Sequence, residues 1–442
     1  MQTAKRLFFS LDRQTECVAD YIEPDRYSFL EQLPENERYI PRGAGLSYVA
    51  ASFGSKSISL GLSKFNRILA FEPSGEEPTI VVEAGISLHK LHLFLCPQGL
   101  RVPVEPGHPQ ISIGGCIAFN VFGKNQFREG FFESCVEEIE LFHPQKGLLT
   151  CSRNENTTLF ELTIGGMGLT GVIVKAKLRL KRIPSPWLNV QKIPFTDLHH
   201  MFQVMKNESQ TADSLHSFND FTSFGKGLGR GFVYAAAFSE EDTAPELLMT
   251  FKSLERKPTR RFALFNRLTI PAFNAAYRTL NTRLKPYERM PFYRFNYPIA
   301  EMSFYFDWYG RKGFVERQML VPEAKLDPYI EKFEALLRKY RPQIVFGSCK
   351  FFSGKQCHLR FAGTGIVISM EVMPNAANQG FHDALDELNV HMGAIDNIAK
   401  DSRVTKDLIA SEYPEYGKFR DLLAEYDPHR QLASALSDKL CL

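Results

Sequence analysis

"TIGGMGLTGVIVKAKLRLKRI", Thr163 to Ile183, holds the literal pattern G-x-G-x-x-G at Gly166, Gly168 and Gly171. In a Rossmann dinucleotide site that pattern follows a strand, opens a helix, and is trailed about 20 residues later by an acid that takes the ribose hydroxyls. The downstream half does not comply. Val174 to Lys181 alternates apolar and basic residues with period two, which is the mark of a strand. The first acid after Gly171 is Asp197, which is too far away. The glycines therefore lead into a strand, and the Rossmann reading fails. Taken alone, the segment reads as a glycine-rich turn. Glycines that let backbone approach a phosphate would look the same.

Two more glycine-rich stretches lie upstream, "PRGAGLSY" (Pro41–Tyr48) and "EPGHPQISIGGCIAFNVFGKN" (Glu105–Asn125). Around all three the first 183 residues read as mixed α and β. "RILAFEP" and "TIVVEAG" are strand-like about the turn "SGEEP". Ser87 caps a helix over "SLHKLHLFLC", with Leu88, Leu91 and Leu95 on one face. "CVEEIELFHPQKGLLTC" reads as strand, turn, strand. From about Pro184 the chain becomes richer in aromatics and amphipathic helices, with strands near "GFVYAAAFS", "GFVERQMLVP" and "TGIVISMEVMP". In "PYIEKFEALLRKY", residues Ile330, Phe333, Leu336 and Leu337 share a helix face. The C-terminus reads as helical again.

With 442 residues, two or three domains and a large core are expected. Hydrophobic content of 44% and charged content of 23% are ordinary for a globular chain. No window approaches 18 apolar residues, and the only early apolar run, Leu7-Phe8-Phe9, is too short for a signal peptide. The eight cysteines form no C-x-x-C pair, which fits reduced thiols rather than a disulfide frame or a zinc site. His89 and His92 share a helix face without a third ligand nearby, so no metal is expected. The cytoplasm is the expected compartment. Net charge is only +3, yet residues 252–294 carry eleven basic side chains against Glu255 and Glu288, interleaved with aromatics. A solvated basic face is one reading of that stretch. An anionic membrane or a phosphorylated lipid is another. No nucleic-acid motif accompanies it, so nucleic acid is not expected.

Taken together, in this order and spacing, the three glycine stretches resemble the FAD-binding domain of the vanillyl-alcohol-oxidase or p-cresol-methylhydroxylase (PCMH) superfamily. "VPVEPGHPQISIGGCIAFNVFGKN", "GGMGLTGVI", "FVERQMLVP", "AKDSR" (Ala399–Arg403) and "DPHRQLASALSDKL" further resemble the decaprenylphosphoryl-β-D-ribose 2′-oxidases, over nearly the whole chain. The resemblance implies an α+β fold. A two-subdomain PCMH-type FAD-binding domain would take residues 1–183, and a substrate domain with an antiparallel sheet flanked by helices would take 184–394. C-terminal helices, 395–442, would return to the FAD domain. It also implies FAD contacts. Arg42, Gly43, Ala44, Gly45, Leu46 and Ser47 would cradle the pyrophosphate with backbone N–H groups. Pro106, Gly107, Gln110, Ile113, Gly114, Gly115, Ala118, Asn120 and Gly123 would run along the flavin. Gly168, Gly171, Val172 and Ile173 would sit near the adenine end.

Such enzymes oxidise a sugar secondary hydroxyl on a lipid phosphate, and a separate keto-reductase, using NAD(P)H, completes an epimerisation. The chemistry needs a hydride acceptor, a proton acceptor and a cation beside the reduced flavin. Lys400 of "AKDSR" matches the family lysine beside flavin and substrate; an exposed helix lysine paired only with Asp401 is the plain alternative. Lys350, in an apolar strand, must snorkel or face a polar cavity, and the family match assigns it to substrate phosphate or hydroxyl. Gln318 is a hydroxyl hydrogen-bonder. Tyr48 is either a proton acceptor or a packing aromatic. Lys124 and Asn125 orient substrate or flavin. Four positions depart from the family. Leu46 stands where many relatives carry a flavin-linking histidine, so FAD is expected to be non-covalent. Phe122 replaces a histidine before "GKN", Ser369 a cysteine, and Asn296 a tyrosine of the substrate pocket. A soluble aldonolactone or sugar-alcohol oxidase is the competing enzyme class, and a non-catalytic flavin- or lipid-binding protein the competing non-enzyme.

Overall fold

The structure is a computed structural model that describes residues 3–223, 227–240, 263–298 and 303–442. Of the basic stretch at 252–294, residues 252–262 lie outside the described residues. The architecture is α+β, built on three principal sheets. The first has four strands in the order Ala4–Phe9, Glu16–Ile22, Ile58–Gly61, Tyr39–Arg42, the last three parallel to one another. The hairpin that opens it was not foreseen from the sequence. The second has five antiparallel strands in the order Ile68–Glu72, Thr79–Glu83, Val172–Arg179, Val136–His143, Gly147–Ser152. The glycine segment of the opening quotation thus feeds the central strand of this sheet, and the period-two pattern of Val174–Lys181 is the pleat of that strand.

The third sheet has eight strands, in the order Tyr287–Pro291, Trp187–Phe195, Arg230–Phe238, Ser214–Asp220, Ile344–Phe352, Gly365–Val372, Val315–Pro322, Ile395–Asp396. Successive residues of a strand face opposite sides of a sheet. Met319, Cys349, Ile368 and Met370 point to one core with Phe333, Leu337, Phe381 and Leu385 of the helices Leu326–Tyr340 and Gln379–Met392. Each fully buried side chain of that size is worth roughly 1.5–3 kcal/mol. The alternate residues, among them Gln318, Lys350 and Ser369, are left for the opposite face.

The C-terminal segment ties the parts together. Ile395–Asp396 completes the large sheet, and Tyr39 pairs with Leu432. Tyr39 N–H donates to Gln431 O at 2.7 Å, Ala433 N–H to Tyr39 O at 2.9 Å, and Ala435 N–H to Phe53 O at 2.9 Å. The chain end therefore locks onto the first sheet beside the strand that launches the glycine loop. No helix among the described residues is long and apolar enough to cross a membrane.

Candidate active site

A cavity of about 730 Å³ lies between the glycine loops and the open face of the eight-stranded sheet. Its first wall is backbone. The loop 43–47 leaves the end of Tyr39–Arg42, and the N–H groups of Ala44, Gly45 and Leu46 have no acceptor among the described residues. Gly45 has φ +68, and a Cβ there would strike the Arg42 guanidinium at 2.1 Å. A Cβ on Gly43 would meet Ser112 Oγ at 2.1 Å. Ser112 caps the short helix Ile113–Ala118 by accepting from Gly115 N–H, so the first loop and the "IGG" helix sit on one another. Unpaired N–H groups at such a turn form an anion cradle.

Of the residues expected at the cofactor, Gly43 to Ser47, Pro106, Gly107, Gly114, Gly115, Ala118, Asn120, Gly123, Gly168, Gly171 and Ile173 line the cavity. Arg42, Gln110, Ile113 and Val172 do not. Arg42 braces the loop from behind: it donates to Ser52 Oγ at 2.7 Å and lies over the Phe8 and Phe53 rings. Ile113 and Val172 are core residues of the second sheet and its surroundings. Asn125 also stays outside the cavity, donating to Pro103 O at 2.9 Å. Asn296 lines it, but its amide donates to the buried Glu105 carboxylate at 3.0 Å.

The second wall is side chain. The sheet's register sets Gln318, Ser369 and Ser348 in one row and Glu316, Glu371 and Phe346 in the next. All six face the cavity. Gln318 is fixed at both ends of its amide, donating to Ser369 Oγ at 2.7 Å and accepting from Asn397 Nδ2 at 2.6 Å. Lys400 is not on a helix; it lies in the turn after Ile395–Asp396, with Nζ 3.6 Å from the Tyr48 ring centroid and 3.5 Å from Glu316 Oε1. Asp401 does not pair with it. Asp401 binds the buried Arg317 at 2.9 Å, and Arg317 also holds Asp386 and Asp396 from the back of the same strand. A fully buried arginine with three carboxylates thus pins the Lys400 turn to the strand that carries Glu316 and Gln318.

Three further lysines line the cavity, of which Lys192 is paired with Glu288 at 2.8 Å. Lys124 donates to Phe295 O, and Lys350 lies 5.8 Å from the Phe122 ring centroid. Neither makes an ion pair among the described residues. Burial, reinforced for Lys124 by the charge of Lys350, holds Lys124 down to about 7. Burial and then Lys400 hold Lys350 down to about 8. His216, stacked on Tyr234 at 4.4 Å, is kept neutral first by burial and then by the same two lysines. Glu316, Glu371, Tyr305 and His216 were not singled out from the sequence. The signal available for the first was its two-residue spacing from Gln318 on one strand face.

Tyr48 packs edge-on against Phe314. Burial first, then the carboxylates of Glu316 and Glu371, raise its phenol well above the ordinary value, so it keeps its proton. Residues 31–152 match the family described as FAD binding domain. The chain is 25% identical, over 420 residues, to the decaprenylphosphoryl-β-D-ribose oxidase of Mycolicibacterium smegmatis, covering 91% of this chain and 89% of that one. It is 27% identical over 386 residues to an uncharacterised protein of Streptomyces coelicolor, covering 81% of this chain and all of the other. Over 122 residues it is 31% identical to the D-arabinono-1,4-lactone oxidase of Yarrowia lipolytica, which covers 27% of this chain and 23% of that enzyme. The chain is an enzyme of this class, an FAD-linked oxidoreductase acting on CH–OH groups. The unpaired amides of the first loop and the cradle that a Cβ would fill fit the cofactor.

Proposed function

We propose that this enzyme oxidises a secondary hydroxyl of a sugar that carries a lipid-linked phosphate, in the manner of the 2′-oxidation of a polyprenylphosphoryl pentose. One observation carries the reading: Lys124 and Lys350 face the cavity half-buried, the charge of Lys350 depressing Lys124 and that of Lys400 depressing Lys350, with no carboxylate paired to either of the two among the described residues. A buried ammonium without a counter-ion is costly. A bound phosphate supplies the missing charge and favours the protonated form of both lysines. The surrounding wall is largely aromatic, with Phe273, Phe306, Trp308 and Phe346, which suits a lipid chain.

When bound, FAD supplies a two-electron acceptor that takes hydride from the alcohol carbon. The chain's own residues do the rest. Ala44 to Leu46 hold the pyrophosphate by backbone N–H. Gln318 and Ser369 hold the sugar hydroxyls, with their amide and hydroxyl orientations fixed by Asn397. Lys124 and Lys350 hold the phosphate. Lys400, pinned through Asp401 and Arg317, places a positive charge beside the reacting hydroxyl and the flavin edge. With Leu46 in the first loop, no side chain from Gly43 to Ser47 is able to attach the flavin, which supports non-covalent FAD.

We assign residues 1–183 to the cofactor domain, 184–394 to the substrate domain and 395–442 to the segment that closes both. A ketone product calls for a keto-reductase, using NAD(P)H, to complete an epimerisation. Around the helix Thr269–Thr279, whose Phe273 and Tyr277 line the cavity, Leu268, Leu284 and Tyr287 are exposed beside Arg267, Arg283 and Lys285. That mixture supports contact with an anionic membrane.

The test is anaerobic mixing of the holoenzyme with a polyprenylphosphoryl ribose analogue, free pentoses and aldonolactones, following the oxidised-flavin absorbance. Bleaching by the lipid phosphate is expected. Bleaching only by a free sugar or lactone moves the enzyme to the soluble oxidases.

A further inference from the structure

Alcohol oxidation releases a proton as well as a hydride, and the proton needs a destination. The groups nearest the Lys400 end of the cavity exclude most candidates. Tyr48 keeps its own proton. In the reading above, which this inference deepens, Lys124 and Lys350 are charged once the phosphate is bound, and an ammonium accepts no proton. What remains is a pair of carboxylates on adjacent strands.

Glu316 and Glu371 are direct cross-strand partners, and both line the cavity. Glu316 is 7% exposed, and its Oε1 lies 3.5 Å from Lys400 Nζ. Glu371 lies one strand further from Lys400 and is held by two phenols, Tyr305 and Tyr309, whose hydroxyls both reach its Oε2 and lie 2.7 Å from each other, sharing two O–H protons among the three contacts. The other charged or titratable groups facing the pair are Asp12 and Lys350. Like charges this close do not ionise together readily. Burial and then the Glu316 charge push Glu371 up to about 7, with the two tyrosines and Lys400 opposing. The arrangement is two carboxylates at facing positions of neighbouring strands, one of them beside Lys400 and the other backed by Tyr305 and Tyr309.

We propose that Glu316 accepts the proton of the substrate hydroxyl and passes it to Glu371, the pair forming a buried proton relay. In that step the C–H bond breaks and the hydride leaves with both electrons for the flavin. The O–H bond breaks and its proton goes to a Glu316 carboxylate oxygen. The O–H electron pair becomes the second bond of the new carbonyl. The alcohol is oxidised and the flavin reduced.

Glu316→Gln keeps size and most hydrogen bonds. The expected result is unchanged FAD absorbance and unchanged substrate Kd, with flavin reduction slowed at least about 100-fold. The rise of rate with pH expected of the wild type should be lost. Glu371→Gln should keep turnover but move that pH limb. A readout independent of turnover is infrared titration of the apoprotein. It should show a protonated carboxyl with a midpoint of about 7 in the wild type. That band should be absent in Glu371→Gln and titrate lower in Glu316→Gln. Glu316→Asp guards against a folding defect, because it should retain the pH limb at reduced rate.

A Glu316→Gln enzyme with the wild-type rate overturns the relay. So does a uniformly slower enzyme whose pH limb is intact. Any alcohol that the wild type oxidises serves as substrate, so a failure of the phosphate reading shows separately, as bleaching by neutral sugars alone.

Discussion

The two walls of the cavity are built on opposite plans. The glycine wall, residues 43–47 and 107–123, works by leaving side chains out, and at Ala44 to Leu46 it presents backbone amides with no acceptor among the described residues. The sheet wall works by putting side chains in, five polar residues and Phe346 from alternate positions of neighbouring strands. The first plan is local in sequence, because a turn and its cap are made by residues a few places apart. The second is not. Glu371 meets Tyr305 across 66 residues, and Gln318 meets Asn397 across 79. A backbone cradle recognises a group common to many enzymes, whereas cross-strand side chains decide which alcohol is oxidised.

The comparison breaks most visibly at Gly43. A valine there would drive its Cβ against Ser112 Oγ, displacing the hydroxyl that caps Ile113–Ala118 through Gly115 N–H. Overpacking of this kind costs about 1–3 kcal/mol, and losing the N-cap adds about 1 kcal/mol. Both fall on the cofactor cradle. Gly43→Val should weaken FAD binding about 100-fold or more and yield colourless protein, while the far end of the sheet, at Lys192 and Glu288, is untouched. Flavin fluorescence titration of the apoprotein measures it. In the wild type, acid precipitation should leave the flavin in the supernatant.

The same contrast explains what could be read from sequence. The turns at Gly43–Ser47 and Gly168–Gly171, the Ser87 cap and the strand of Val174–Lys181 were legible because each is decided by neighbours in the chain. Lys350 was legible as a lysine out of place in an apolar strand. Arg42 was placed at the cofactor and Asn125 at the substrate or flavin because they lie in the right motifs, but their side chains turn away to brace Ser52 and Pro103. The Arg317 anchor and the Glu316–Glu371 pair depend on strand order, which no local pattern reveals. The hairpin Ala4–Phe9 with Glu16–Ile22 escaped because, on this edge strand, Leu7 and its partner Val18 are more than half exposed.

The sheet wall also makes a quieter prediction, in which stability and binding move in opposite directions. Lys350 is held down to about 8 by burial and by Lys400, against its ordinary 10.5. A base whose folded pKa is depressed binds fewer protons folded than unfolded between those two values. Its contribution to stability therefore rises with pH across that window, and below about pH 8 the folded protein bears the full penalty of the buried charge. Lys350→Met removes the charge and keeps the stem. At pH 7 the apoprotein should gain about 2 kcal/mol of stability. The extra stabilisation of the wild type between pH 8 and 10.5 should vanish in the variant, as a pH series of thermal melts on the apoproteins would show. With substrate present the sign reverses. A phosphate that loses a charged hydrogen-bond donor binds less tightly by about 1.5–3 kcal/mol, so Kd for the lipid-phosphate analogue should rise about tenfold or more. A variant more stable when empty and weaker when loaded identifies Lys350 as a residue kept for binding at the expense of the fold. A variant that changes stability alone assigns the cavity to a neutral substrate.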